Sequence, residues 1–245
     1  MFEILSHYGI SLLIGQYPQG PLGGIALTLL MSIAALLLAF PVAIGIALAR
    51  MSPIAALRRS SAIYVYFVRG VPLLLLIFWA YFMLPLVTGF NAPASVTVVC
   101  ALVIYEGAYL GESIRGALAA LPVGQVEAAR SLGLGYWSTL RRVVLPQALY
   151  NCLPSIMNQF ILIVKNTSLA YIIGAHEATF SANQINAQLL TRPFEVYMIL
   201  AAIYFAICFS LSRLSHGIER RIAAKRSGHV TAIPSAEPHI ASVTS

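Results

Sequence analysis

Five stretches of the chain are apolar over lengths suited to crossing a hydrocarbon layer, which takes roughly 20 residues of helix. They lie at residues 23–49, 71–86, 94–118, 150–173 and 196–214, the second being entered a turn or two before its apolar run. The pattern predicts an all-α integral membrane protein of about five transmembrane helices. Residues 20–220 form its membrane domain. Residues 1–19 either lie at the interface as a helix presenting Ile4, Leu5, Tyr8, Leu12 and Leu13, or form a disordered leader. Residues 221–245 read as a disordered tail, polar and without a core-forming pattern beyond residue 227. Residues 174–195 read as a polar loop, and 50–69 as a connecting segment with four arginines.

One island interrupts this pattern after three spans and before two. Residues 125–147, QVEAARSLGLGYWSTLRRVVLPQ, are polar and basic. Pro122 suits a helix start, where its missing N–H is not needed. A short helix over 123–132 is predicted to stop at Gly133 in a left-handed conformation. A second, over 138–145, is predicted to end at Pro146. Glu127 and the adjacent Ala128 and Ala129 would offer a flush surface for another protein. A basic amphipathic connector is the plainer alternative.

Charge gives the chain an orientation. Only 9% of its residues are charged and 59% are hydrophobic, against about 25% charged in a soluble domain. Aspartate is absent and the net charge is +7. Segments 50–69, 116–148 and 213–226 hold twelve Lys and Arg residues, while the opposite side holds only Arg192. The excess of basic residues inside places the island and the C-terminus in the cytoplasm and the N-terminus outside. Basic residues confined to short loops form no continuous patch, which excludes nucleic acid as a partner. The N-terminus shows no positive region of a signal peptide, since Arg50 is the first basic residue. Cys100, Cys152 and Cys208 fall in apolar spans without metal or disulfide spacing, and read as small core residues. No P-loop, dinucleotide fingerprint, catalytic triad or zinc spacing occurs, so neither enzymatic chemistry nor a bound cofactor is expected.

Polar groups inside the spans are costly and need a reason. At 100° per residue, Asn151, Ser155, Asn158, Gln159, Lys165 and Asn166 share an arc of about 120° on the fourth span. Hydrogen bonds between helices account for most of that stripe. Lys165 either lines a water-filled path or snorkels to a surface. On the third span Glu106, Tyr109 and Ser113 share a face, while Glu112 and Arg115 stand as an i, i+3 pair. Arg69 reads as an orientation anchor at a membrane surface. A passive channel would need no docking island, an integral-membrane enzyme would need convergent acid–base groups, and a plain scaffold would not need Lys165 and Glu106 in mid-span.

The island resembles the EAA motif of ABC-importer permease subunits: Glu127-Ala128-Ala129, three residues, Gly133, nine residues, then Val143-x-Leu145-Pro146, with valine where isoleucine is usual. Phe67-Val68-Arg69-Gly70-Val71-Pro72 is similar to the F-x-R-G-[TV]-P signature of polar-amino-acid permeases. Gly107-Ala108-Tyr109-Leu110-Gly111-Glu112 with Arg115-Gly116, and Lys165-Asn166-Thr167-Ser168-Leu169, belong to the same set, with Asn166 where many relatives have aspartate. The resemblance implies the transmembrane fold of a type I (MetI-like) ABC importer in a bacterial inner membrane. It also implies a second permease subunit, identical or paralogous, two ATPase subunits and a periplasmic amino-acid-binding protein. Glu127, Ala128, Ala129 and Gly133 would couple to the ATPase. Glu106, Tyr109, Asn158, Lys165, Asn166, Thr167 and Ser168 would line the substrate path, with Glu106 and Lys165 neutralising each other at rest. The Glu106 position and the Phe78-Trp79-x-Tyr81 stretch lean towards glutamate and aspartate.

Overall fold

The computed structural model describes residues 2–230, with side chains as far as residue 224. Its described residues are helical apart from turns and two isolated bridges, Gly15 with Leu22 and Gly24 with Glu177. Four helices are long and apolar enough to cross a membrane: Gly24–Arg50, Ala94–Ala119, Tyr136–Ile173 and Pro193–Ala224. A bent pair, Ala55–Gly70 and Leu73–Thr88, makes a fifth crossing if taken as one span.

In chain order, α1 (Phe2–Ile14) is helical rather than disordered. Its inward residues Ile4 and Leu12 pack on Ala182, Ile185 and Val196, Leu5 and Leu13 face outwards, and Glu3 pairs with Arg192 at 3.0 Å. The first span is α2 (Gly24–Arg50), with Pro41 carried inside it. Residues 50–69 are not a loop, because most of them form α3 (Ala55–Gly70), whose buried Val65 and Val68 sit three residues apart. Pro72 then biases Val71 to extended backbone (φ −102°, ψ 133°), and the chain bends by 103° into α4 (Leu73–Phe78), a π turn and α5 (Leu84–Thr88).

The third span, α6 (Ala94–Ala119), packs on α2 through small residues. Ala35, Ala39, Ala43 and Ala47, each four residues on from the last, are fully buried on α2. Beside that row, Gly107 and Gly111 of α6 meet Val42 and Ile46 of α2, where an added Cβ on Gly111 would stand 2.9 Å from Ile46. Small residues let two backbones approach where hydrocarbon supplies no hydrophobic drive.

After α7 (Val123–Ser131), the helix that begins at α8 (Tyr136–Thr139) does not stop at Pro146. It widens into a π turn over Leu140–Val144 and continues as α9 (Leu145–Asn166) and a 3₁₀ segment, Thr167–Ile173. A proline ring clashes with the carbonyl four residues back, and a wider turn ahead of Pro146 makes room for it, as another does ahead of Pro85. The expected polar loop contains a helix, α10 (Ala178–Leu189), and the last span extends as α11 (Pro193–Val230). The expected tail is thus helical over residues 221–230, and residues 231–245 lie outside the described residues.

Candidate functional site

Two regions hold the residues singled out above. The first is the island. Helix α7 ends as its sequence predicts: Gly133 has φ +81°, its N–H donates to the Arg130 carbonyl at 2.9 Å, and the next N–H, of Leu134, donates to the Ala129 carbonyl at 3.1 Å. These two bonds make a Schellman motif, with the left-handed residue just past the helix end. The two alanines do not share a surface. Ala129 is buried, whereas Glu127 and Ala128 are exposed, and Leu132 and Val123 stand out at 83% and 70% exposure. The face open to a partner is therefore Glu127, Ala128 and the apolar ends of the helix.

The second region lies between α6, α9 and α11. Glu106, thirteenth of the 26 residues of α6, is fully buried near mid-span. Its carboxylate accepts from the Gln159 side-chain amide and, at 3.2 Å, from Asn166 Nδ2. Those bonds bracket α6 to α9 and hold Asn166, hence Lys165 beside it, at the same depth. The expected neutralisation of Glu106 by Lys165 is not found. Lys165 points round the helix into a groove along α11, because residues 159 and 166 share the α6 side of α9 while 158 and 165 lie about 100° away. Cavities of about 510 and 490 Å³ meet at Lys165, Phe205 and Cys208. Ser168, Thr179 and Tyr204 line one of them and Asn158 and Ser212 the other. Thr167 is buried and donates to the Val164 carbonyl at 2.7 Å, so it faces protein.

On α6, Gly107 and Gly111 face α2, Glu106 faces α9 and Ala108 packs with Val65 and Val68 of α3. Tyr109 occupies the remaining side, with Ser113 between it and the Glu106 face. Since α6 and α9 run antiparallel, that side and the Asn158–Lys165 side open in the same direction. The Tyr105 hydroxyl donates to that of Tyr109 at 3.2 Å, and the Arg69 guanidinium lies 4.9 Å over the Tyr109 ring. Further along α6, Glu112 pairs with Arg115 at 2.6 Å, as its spacing predicts, and also with Arg50 of α2 at 3.4 Å. Cys152 is buried as expected, but Cys100 is exposed and Cys208 half-buried.

Sequence reasoning overlooked Glu177. It is fully buried outside the spans and caps α10, accepting from the Thr179 and Phe180 amides at 2.8 and 3.0 Å and from the Tyr204 hydroxyl at 3.1 Å. Burial pushes its carboxyl up to about 7 against the pull of those donors. Glutamate is not among the favoured capping residues, so no local signature marked it.

Comparison with known proteins places this geometry. A family model described as "Binding-protein-dependent transport system inner membrane component" matches residues 41–224. The chain is 39% identical over 211 residues to the inner membrane amino-acid ABC transporter permease protein YhdY of Escherichia coli (strain K12), which covers 84% of this chain and 58% of that protein. It is 35% identical to the glutamate/glutamine/aspartate/asparagine transport system permease protein BztC of Rhodobacter capsulatus, over 87% of this chain and 50% of that one. The chain thus spans about half the length of these two relatives. It covers 98% of the probable glutamine ABC transporter permease protein GlnP of Bacillus subtilis (strain 168), at 36% identity and over 85% of this chain. Among solved structures, an amino acid ABC transporter crystallised with histidines superposes with a TM-score of 0.73 at 37% identity, over 81% of this chain and 92% of that one. The MetNI methionine ABC transporter, at 21% identity and a TM-score of 0.59 over 79% of this chain and 91% of that one, shares the fold.

Proposed function

Since the chain belongs to the family of binding-protein-dependent transport system inner membrane components, we propose that it carries polar amino acids inwards by alternating access, with a lean to glutamate and aspartate. It works with a second permease subunit, with ATPase subunits below and an amino-acid-binding protein above. The membrane is a bacterial inner membrane, with the N-terminus outside and the C-terminus inside. ATP closes the ATPase dimer, the α7 helices are drawn together through Glu127, Ala128 and the turn at Gly133, and the spans open outwards. Hydrolysis resets them. Tyr109, Asn158, Lys165 and Ser168 line the path, while Glu106, Asn166 and Thr167 support it from within the protein.

The observation that carries this reading is the polar side shared by α6 and α9, where Lys165 lies at mid-span in a groove without an acidic partner among the described residues. A cation there suits a substrate that always has a carboxylate. The lean to acidic substrates is supported by the sequestered Glu106, since the described residues lining the groove then include a cation and no carboxylate. The test is ATP-dependent uptake of a labelled amino-acid panel by the complex in proteoliposomes. Uptake confined to ATP and highest for acidic and amide amino acids is the expected result. Conductance without ATP would favour a passive channel instead.

A further inference from the structure

We propose that Arg69 is a second cation of the path and binds the carboxylate of the amino acid in transit; this rests on the importer reading above. The sequence makes Arg69 one of four arginines in a surface segment, but the fold puts it elsewhere. Arg69 is the last residue but one of α3, at the break before Pro72. The segment before the break packs on Ala108 of α6 through Val65 and Val68. The segment after it packs on Val98, Ala101 and Leu102 through Leu73 and Ile77. The break therefore lies near the middle of α6, and Tyr109, under the guanidinium, is sixteenth of its 26 residues.

A cation at that depth is costly without a counter-charge. Among the described residues Arg69 makes no ion pair. Glu112 is taken by Arg50 and Arg115, and Glu106 by Gln159 and Asn166. What Arg69 does have is a platform. Its guanidinium carbon lies 4.9 Å over the Tyr109 ring, whose hydroxyl accepts from that of Tyr105. A cation held over a ring face can still turn its N–H donors to a ligand, and a guanidinium presents them as a fork that binds a carboxylate by two parallel hydrogen bonds. The side chain is exposed on the side of α6 that opens with Asn158 and Lys165 of α9. An orientation anchor would belong at a membrane surface and would need only charge. A carboxylate site needs the fork as well.

That difference supplies the test. The permease–ATPase complex is purified with wild-type permease, Arg69→Lys and Arg69→Met. Equilibrium binding of labelled L-glutamate and L-glutamine is measured without the binding protein, beside uptake in proteoliposomes with it. Arg69→Lys keeps the charge, so insertion and assembly stay at wild-type levels. Its Kd for both probes rises by about tenfold or more, and uptake falls with it. Should Arg69→Met fail to assemble, the lysine variant still decides. An unmoved Kd in Arg69→Lys, with wild type binding and transporting, overturns the assignment of Arg69 alone. No amino-acid uptake by wild type across the full panel would sink the importer reading, and this assignment with it.

Discussion

Glu106 and Lys165 show how two costly residues in neighbouring spans take different work. A buried carboxylate with two amide donors is a bracket, whereas a lysine in a groove is available to a ligand. Lys165→Met is expected to cut uptake by about tenfold or more, the scale of one charge-assisted hydrogen bond, with assembly intact. Glu106→Gln turns an amide onto two amides and should lower the stability of the detergent-purified complex by about 1–3 kcal/mol. Thermal unfolding reads the second variant and uptake the first. Uptake lost in Glu106→Gln at unchanged stability would return Glu106 to the path itself. Glu177 carries a pH dependence. Its carboxyl titrates near 7 when folded, above the 4.5 of an exposed glutamate, so the folded state holds the proton more tightly. That contribution is complete below 4.5 and is lost as the pH rises through about 7. The unfolding midpoint of the wild type should fall between about pH 5 and about pH 8, and Glu177→Gln should flatten that fall. Parallel curves for the two would clear Glu177 of the effect.

At the scale of elements, α7 is the part whose form follows most directly from its local sequence. Its end is a left-handed glycine with nothing within 4 Å of an added Cβ. A side chain there meets no neighbour, but a β-branched one meets its own backbone at φ +81°. Gly133→Val should therefore strain the turn by about 1–3 kcal/mol and tilt α7 without unfolding the spans. The expected outcome is transport falling while the protein inserts and the partner ATPase idles uncoupled; normal coupling ratios in this variant would remove the turn from the coupling path. The broken span is the opposite case. Its α3 half reads as a polar connector because Arg58, Arg59, Ser60 and Ser61 crowd its first turns. Only packing on Ala108 shows that Val65 and Val68 are a buried helical face.

For the whole molecule, the fold changes the arithmetic of orientation slightly. Arg69 belongs at mid-depth and leaves the count of surface charges, yet the excess of basic residues at one end persists through Arg50, Arg58, Arg59, Arg130, Arg141 and Arg142. Cysteine labelling should reach Ser138→Cys only from the cytoplasm and Gly89→Cys only from outside. The exposed Cys100 must first be replaced, since it would react by itself. Periplasmic labelling of Ser138→Cys would reverse the proposed topology.

The sequence alone determined four of the spans, the basic island between them and the left-handed end of α7. Each depends on local composition: the cost of inserting a segment is summed along the chain, and a helix stop is written in a few adjacent residues. It also marked which residues carry polar groups across the bilayer. Tertiary structure alone decided what those groups do. Glu106 meets Gln159 and Asn166 because α2 and α6 close on alanine and glycine and set the face that α6 turns to α9. Arg69 reaches mid-depth because Pro72 breaks the span and the two halves pack on different parts of α6. Glu177 caps α10 because α2 and α11 meet there. Pairings of this kind depend on the rotation of one helix against another, and residues 53 and 60 positions apart in the chain carry no local trace of it.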